Sequence, residues 1–318
     1  MRFQKHQWSK ETVFVLLGIF FLVFACDNLQ LPNGHGGGLN SENGQDDNQN
    51  TSPTVSIAAT PKSGRKPLSV QFSSSAQDSN GFIEVFKWSF GDGSTSTKTD
   101  PTHQYLNVGT YTARLTVTDN GGASASDTTE IIVYPEEPQE ILLQGTGDTA
   151  TTFFTLEKGL SVFAMSHIGT SNFYIWLMKD NGDTIGLLVN EIGSFDGSTA
   201  IGITATGNYL LDVNADGNWT VQIKQPRPIS VPTITSFSGI GMKATELFFL
   251  NSDLKIFTLS HNGSSNFIVW LLDKNGGYVD LLANEIGSYN GSTAVSIDSS
   301  DPHILTIDAD GSWSISID

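Results

Sequence analysis

Oxygen-bearing side chains at every second position form the first candidate site in this sequence. Asp212, Asn214 and Asp216 alternate with apolar residues and are followed directly by Gly217. Carboxylate and amide oxygens at this spacing before a glycine are typical of the opening of a calcium-binding loop. The twelfth position of such a loop needs a bidentate acid, but here it holds Ile223. The pattern is therefore a weak calcium candidate, and a hairpin turn with solvent-facing acids explains the same residues.

A serine and a histidine stand side by side twice, as Ser166-His167 and as Ser260-His261. A nucleophile and its general base must come within hydrogen-bond distance, yet neighbouring residues on a strand point to opposite faces of the sheet. The sequence also contains no GxSxG elbow, no HExxH motif and only one cysteine. We therefore expect no enzymatic activity, no catalytic residue and no cofactor.

Polar residues in predicted loops are the main candidates for ligand binding, and they occur in both halves of the C-terminal region. Surface loops on a rigid β scaffold commonly carry binding groups. The candidate residues are His167, Asn172, Asn190 and Glu191, and then His261, Asn266, Asn284, Glu285 and Tyr289, the last aligned with Phe195. Amides pair with sugar hydroxyls and an aromatic ring covers apolar CH groups, so a polysaccharide suits this set. The alternative is that these residues only set turn geometry and tie loops together.

These candidates recur because the C-terminal region is duplicated. A constant offset, 94 residues from His167 to His261, also aligns the tryptophans and the Asn-Glu-Ile-Gly and Gly-Ser-Thr-Ala segments without a gap. The two copies span residues 139–225 and 234–318, and the prolines between them predict a stiff connector. Two equivalent modules on one chain favour joint binding to a repeating polymer.

Short strands are predicted within each copy, because apolar residues alternate and glycines punctuate the chain. Asn181-Gly182 and Asp216-Gly217 predict hairpin turns. The predicted strands of the first copy are Phe153–Leu156, Ser161–Ser166, Phe173–Lys179, Asp183–Leu188, Ala200–Thr204, Asn208–Val213 and Trp219–Ile223. We expect an antiparallel β-sandwich or jelly roll in each copy.

Composition supports an all-β protein and argues against nucleic acid as a partner. The formal net charge is −17, whereas binding to phosphates needs a basic face. The 32 glycines among 318 residues favour short strands with tight turns over long amphipathic helices. The length after the N-terminal region exceeds one ordinary domain, so several are expected.

Residues 53–134 carry a specific pattern of turns and strands. The segment Trp88-Ser89-Phe90-Gly91-Asp92-Gly93 is followed by the elements Pro101-x-His103-x-Tyr105 and Gly109-x-Tyr111. This order of motifs resembles the PKD domain. The resemblance implies an immunoglobulin-like sandwich that acts as a spacer or an interaction module. We expect structural roles for Trp88 in the core, for both glycines and Asp92 in the turn, and for His103.

The N-terminus predicts export and a lipid anchor. Residues 1–25 combine a basic segment with an apolar run, the layout of a signal peptide. The run Leu22-Val23-Phe24-Ala25-Cys26 resembles the lipobox of bacterial lipoproteins, which implies acylation of Cys26. The alternative is a conventional signal peptide that leaves Cys26 as a free thiol, although a lone cysteine forms no internal disulfide. Residues 26–52 are almost devoid of apolar side chains and are predicted to be a disordered leash.

Two classes of function follow. The first is a lipid-anchored protein of the bacterial cell envelope or surface that binds a polysaccharide or an envelope protein through its duplicated sandwiches. The second is a non-catalytic structural spacer, and an accessory subunit of an envelope or secreted hydrolase is a further alternative. In each case the lipid anchor makes the membrane a partner.

Overall fold

A computed structural model describes residues 49–318 of this chain. The predictions for the signal peptide and for Cys26 lie outside these residues. Asn50 and Thr51 fall within the predicted leash, but both contact the first folded unit. Asn50 Nδ2 donates to Asp119 Oδ1 at 3.0 Å, and Thr51 Oγ1 donates to Asn80 Oδ1 at 2.7 Å. Residues 50–318 form one compact unit.

The described residues form β-strands and contain no helix, so the predicted all-β fold class is confirmed. Accordingly, no helix within residues 49–318 is long and apolar enough to cross a membrane.

The first folded unit consists of two sheets around a buried aromatic core. Its strands are β1 (Thr54–Thr60), β2 (Ser63–Arg65), β3 (Leu68–Gln77), β4 (Ile83–Ser89), β5 (Thr95–Ser96), β6 (Thr102–Tyr105), β7 (Gly109–Asp119) and β8 (Ser124–Tyr134). One sheet has the order β1-β3-β6 and the other β2-β8-β7-β4-β5. Alternate residues of these strands face inward, so Phe72, Trp88 and Leu115 are fully buried between the sheets.

The first repeat is a sandwich of nine strands. They are β9 (Ile141–Thr146), β10 (Thr149–Ala150), β11 (Phe154–Leu156), β12 (Gly159–Ile168), β13 (Asn172–Lys179), β14 (Thr184–Ile192), β15 (Phe195–Ile203), β16 (Gly207–Asn214) and β17 (Asn218–Lys224). One sheet has the order β15-β12-β17-β9, and the other has the order β10-β16-β13-β14, with β11 also paired to β16.

The second repeat has the same architecture. Its strands are β18 (Ser236–Ile240), β19 (Lys243–Ala244), β20 (Phe248–Leu250), β21 (Leu254–His261), β22 (Asn266–Asp273), β23 (Tyr278–Ile286), β24 (Tyr289–Ser296), β25 (Asp301–Ala309) and β26 (Ser312–Ile317). The sheet orders are β18-β26-β21-β24 and β19-β25-β22-β23, with β20 paired to β25, which matches the first repeat strand for strand.

One predicted turn connects the strands differently from expectation. The residues Asp216-Gly217 join β16 to β17, and these strands belong to opposite sheets of the sandwich. The turn is therefore a crossing between sheets and not a hairpin. Leu211 and Val213 of β16 still share a core with Trp219 of β17, because the inner faces of the two sheets meet. The turn at Asn181-Gly182 does join neighbouring strands, and Gly182 adopts a positive φ of 88° there.

Each repeat has its own apolar core, and a further cluster lies between the repeats. We call it the inter-repeat cluster. Its buried members are Leu160 and Ala200 of the first repeat and Leu247, Leu272 and Ile304 of the second, with Val162, Val231 and Ala244 partly buried against them. The outer face of the β12–β15 pair thus packs against the outer face of the β22–β25 pair. The two repeats are joined by packing as well as by their connector.

Candidate functional site

The two candidate histidines are buried at the rim of each sandwich core. His167 Nδ1 lies 2.8 Å from the carbonyl oxygen of Gly193, and its ring stacks on Phe173 with centroids 4.5 Å apart. His261 repeats this arrangement with Gly287 and a stacked phenylalanine. Both rings are shielded from solvent. Each histidine holds two loops together through its contact with a glycine carbonyl oxygen, and ligand contact at His167 and His261 stays a prediction.

The adjacent serines point the other way. Ser166 Oγ lies 2.7 Å from Thr220 Oγ1 on the exposed side of the sheet, and Ser260 Oγ lies 2.7 Å from Ser314 Oγ. Each Ser-His pair is therefore divided between two faces of a strand, and no nucleophile–base pair forms.

The weak calcium candidate is spread over two locations. Asp212 and Asn214 are cross-strand partners of Trp176 and Tyr174, on the outer face of the sheet. The carboxylate of Asp216 instead accepts hydrogen bonds from backbone N–H groups of the loop that precedes β13.

The carboxylate of Asp216 serves as a loop anchor. Hydrogen bonds from the Thr170 N–H, and then from the Ser171 N–H, lower its pKa despite an opposing effect of burial. His167 Nε2 lies 3.3 Å from Asp216 Oδ1. Within residues 49–318, no group of three or more His, Cys, Asp or Glu side chains is arranged to hold a metal ion.

Three of the candidate polar residues come together in a cleft between the repeats. Asn190 and Glu191 at the end of β14 line it from one side, and Asn266 at the start of β22 lines it from the other. Asp308 and Asp310 of the second repeat complete the polar wall. We call this the inter-repeat cleft; its volume is about 300 Å³.

The inter-repeat cleft concentrates negative charge. Burial, and then the nearby charges of Asp308 and Asp310, raise the pKa of Glu191. Burial, and then Asp310, likewise raise the pKa of Asp308. In contrast, hydrogen bonds from Ser264 and Ser265 lower the pKa of Asp310, so this carboxylate stays ionised. The cleft therefore offers amide groups and hydrogen-bond acceptors to a ligand rich in donors, such as hydroxyl groups.

The remaining candidates lie outside this cleft. Asn172, Asn284 and Glu285 are exposed on other edges of the two sandwiches. Tyr289 is partly buried and packs against Phe267, with ring centroids 5.8 Å apart. Equivalent residues of the two repeats thus have different surroundings, because each repeat uses a different face at the junction.

Asp308 and Asp310 were not recognised from the sequence as candidates. Their equivalents in the first repeat, 94 residues earlier, are Asn214 and Asp216. The sequence shows that an acid, Asp308, stands at the position equivalent to Asn214. Its effect on the charge of the cleft arises only because Glu191 of the first repeat lines the same cleft. The sequence offers one signal for a contact at this kind of face: β12 carries Leu160 and Val162, and β21 carries Leu254 and Ile256, at outer positions that are usually polar on a solvated sheet.

The motif turn of the first folded unit has the structural roles that were expected. Trp88 is fully buried, and Gly91 and Gly93 have φ values of 85° and 94°. Asp92 Oδ1 accepts a hydrogen bond from Ser94 N at 2.9 Å, and Asp92 Oδ2 lies 2.7 Å from His103 Nε2.

Two sheets packed around this tryptophan make residues 54–134 an immunoglobulin-like sandwich. The PKD domain family matches residues 50–133, so this unit is a PKD domain, as the sequence predicted.

The similarity to one known protein extends beyond the PKD domain. Collagenase ColQ1 of Bacillus cereus (strain Q1) is 38% identical over 207 residues, which cover 57% of this chain and 21% of that protein. A microbial collagenase of Vibrio alginolyticus is 45% identical over 85 residues, which cover 26% of this chain and 10% of that protein. The crystal structure of the PKD1 domain from Vibrio cholerae metalloprotease PrtV is 35% identical, with a TM-score of 0.24, and the match covers 26% of this chain and 98% of that one. The matches therefore span between 10% and 21% of the length of these two collagenases.

Proposed function

We propose that this chain is a non-catalytic binding protein of the bacterial cell envelope. Its PKD domain acts as a spacer, and its paired sandwiches bind an extracellular polysaccharide in the inter-repeat cleft. Acylated Cys26 holds the protein at a membrane and the segment after it lets the folded part extend outward.

The observation that carries the proposal is the convergence of Asn190, Glu191 and Asn266 from two repeats on one concave surface. Clefts with a few convergent polar groups are the usual form of small-ligand sites. Sugar hydroxyls donate to carboxylates and pair with both ends of an amide, so the lining suits a carbohydrate. A strongly acidic protein does not favour phosphate-rich polymers, because like charges repel.

A collagen-type protein fibre is the second candidate ligand. It is favoured by the similarity to collagenase ColQ1, which extends beyond the PKD domain. In this alternative, the chain resembles an accessory region of such an enzyme and holds a fibre without cleaving it. The two candidates are distinguished by the type of polymer that the chain retains.

The cleft is tested by co-sedimentation of the full chain with insoluble polysaccharides and with fibrillar collagen. We expect Asn190→Ala, Glu191→Gln and Asn266→Ala each to weaken retention by about tenfold, because one lost hydrogen bond to a ligand is worth about 1.4 kcal/mol.

The duplication supplies matched controls for these substitutions. Asn284→Ala, Glu285→Gln and Asn172→Ala change the same residue types at the equivalent positions outside the cleft. At a protein concentration where copies of the chain are not associated, they should leave retention unchanged. Equal losses in both sets would refute the cleft as the site. Retention on collagen alone would replace the polysaccharide with the second candidate, and no retention on either polymer would leave the spacer function.

The anchor has a separate test. A Cys26→Ser variant should leave the membrane fraction and lose incorporated fatty acid, because acyl chains contribute about 0.8 kcal/mol for each buried methylene. A wild-type chain that partitions to the membrane without a fatty-acid label would contradict acylation.

A further inference from the structure

The junction between the repeats joins two different faces. The first repeat contributes the outer face of β12 and β15, and the second contributes the outer face of β22 and β25 together with Ala244 and Leu247. Both repeats have the same fold, so each one carries both kinds of face. One face of each repeat is therefore used at the junction, and the other face has no packing partner among residues 49–318.

The unused face of the second repeat carries apolar residues at the positions equivalent to those that form the inter-repeat cluster in the first repeat. Leu254 and Ile256 stand 94 residues after Leu160 and Val162 of the inter-repeat cluster. Leu254 is 60% exposed and Ile256 is 44% exposed, whereas Leu160 is completely buried. Two large aliphatic side chains thus remain in solvent on β21.

The unused face of the first repeat shows the complementary pattern. Phe153 is 58% exposed and stands at the position of Leu247, which is buried in the second repeat. Met178 and Leu210 are partly exposed on β13 and β16 at the positions of Leu272 and Ile304. This face therefore has the apolar residues needed to pack against the outer face of β12 or of its equivalent strand, β21.

The polar contacts at the edge of the junction have the same counterparts. Ser198 N donates to the carbonyl oxygen of Met242 at 3.1 Å, and Ala244 N donates to Ser198 Oγ at 2.9 Å. Ser292 occupies the position of Ser198 on the second repeat, and Ala150 occupies the position of Ala244 on the first. A contact between the unused faces therefore has the residues needed for a hydrogen bond from Ala150 N to Ser292 Oγ, equivalent to the bond from Ala244 N to Ser198 Oγ.

We propose that the unused face of the second repeat in one molecule binds the unused face of the first repeat in a second copy of this chain. The partner is a second copy because this pairing of faces already exists within the chain, and the exposed residues are those that the existing junction buries. The two faces differ, so the contact is head to tail and leaves a free face at each end. Association then continues beyond a dimer. This proposal does not depend on the polysaccharide ligand.

One position makes the contact between copies weaker than the internal junction. A Cβ atom on Gly202 would lie 2.8 Å from the carbonyl oxygen of Gly276, so the internal junction requires a glycine. Ser296 occupies the equivalent position on the unused face. The two copies must therefore separate slightly around Ser296, and Ser296→Gly should bring them closer.

Sedimentation velocity on the full chain tests the proposal, with all variants compared at equal concentrations so that any association through the N-terminal segment is common to every sample. The average mass of the sedimenting wild-type species should rise steadily with protein concentration and exceed that of a dimer. Leu254→Glu or Phe153→Glu should each weaken this association at least roughly 100-fold, because each would bury an unpaired carboxylate. Both positions are exposed, so the unfolding curves of the variants should match that of the wild-type chain.

Mixing the two variants gives the decisive result. The Leu254→Glu chain keeps an intact first-repeat face and the Phe153→Glu chain keeps an intact second-repeat face. An equimolar mixture should therefore form dimers that do not grow further. Ser296→Gly should shift association to a roughly tenfold lower concentration, since it relieves overpacking. A wild-type chain that does not associate, single variants that associate like the wild-type chain, or a mixture that stays unassociated would each overturn the proposal.

Discussion

Leu160 and Leu254 provide a direct measure of how strongly the repeats hold each other. They are the same residue type at equivalent positions of the duplication, but Leu160 is buried in the inter-repeat cluster and Leu254 is exposed. Truncation of a fully buried leucine to alanine removes transfer free energy and leaves a cavity, at a cost of about 3 kcal/mol. Truncation at an exposed position typically changes the free energy of unfolding by less than about 0.5 kcal/mol.

Thermal unfolding followed by tryptophan fluorescence measures the difference. For a unit of this size, about 3 kcal/mol corresponds to a fall in Tm of roughly 6–12 °C for Leu160→Ala, and Leu254→Ala should shift Tm by about 2 °C or less. The variants should be compared at low protein concentration, where association between copies is negligible. Equal shifts for both variants would show that the junction contributes nothing to stability and would refute the packing of the inter-repeat cluster.

Three further predictions concern the junction and the rejected calcium site. Gly276→Ala should destabilise the protein more than Gly182→Ala, because a Cβ atom on Gly276 would lie 2.4 Å from Gly202 Cα. A Cβ atom on Gly182 would meet open space, so this variant bears only the cost of the positive φ, about 1–2 kcal/mol. Unfolding curves that rank the two variants the other way would contradict this prediction. The raised pKa of Asp308 means that the folded protein retains a proton that the unfolded chain loses, so stability falls as pH rises through that interval. Asp308→Asn should therefore raise Tm at neutral pH but not at about pH 3, below the ordinary aspartate pKa, and an equal rise at both would count against it. Calcium should leave Tm nearly unchanged, because hydrogen bonds hold Asp216 in a loop while Asp212 and Asn214 lie on the outer face of the sheet. A large calcium-dependent rise in Tm would restore that site.

The sequence predicted local structure well where one segment determines it. The alternation of apolar and polar residues around Trp88 and Trp219 correctly predicted strands. The turn at Asn181-Gly182 lies where these residue types predicted it. The turn at Asp216-Gly217 was misassigned because a hairpin and a crossing between sheets use the same residue types. Only the pairing of distant strands distinguishes the two.

The candidate site depended still more on distant contacts. Asn172 and Asn266 have nearly identical neighbours in sequence, yet only Asn266 lines the inter-repeat cleft. Its surroundings are determined by Glu191 of the other repeat, and no local pattern contains that information. The burial of His167 was equally hidden, since an Asp anchor 49 residues later in the chain, at position 216, helps to define its loop.

If the binding site lies where two repeats meet, the number of sites equals the number of junctions and not the number of repeats. Within residues 49–318, β14 of one sandwich faces β22 of the next at one place. One ligand is therefore expected per unassociated molecule, although each repeat carries the same types of polar residue. Cutting the chain at its connector would abolish the site instead of halving it. A third sandwich added in series would double the number of sites, because each added unit supplies the missing wall for its neighbour.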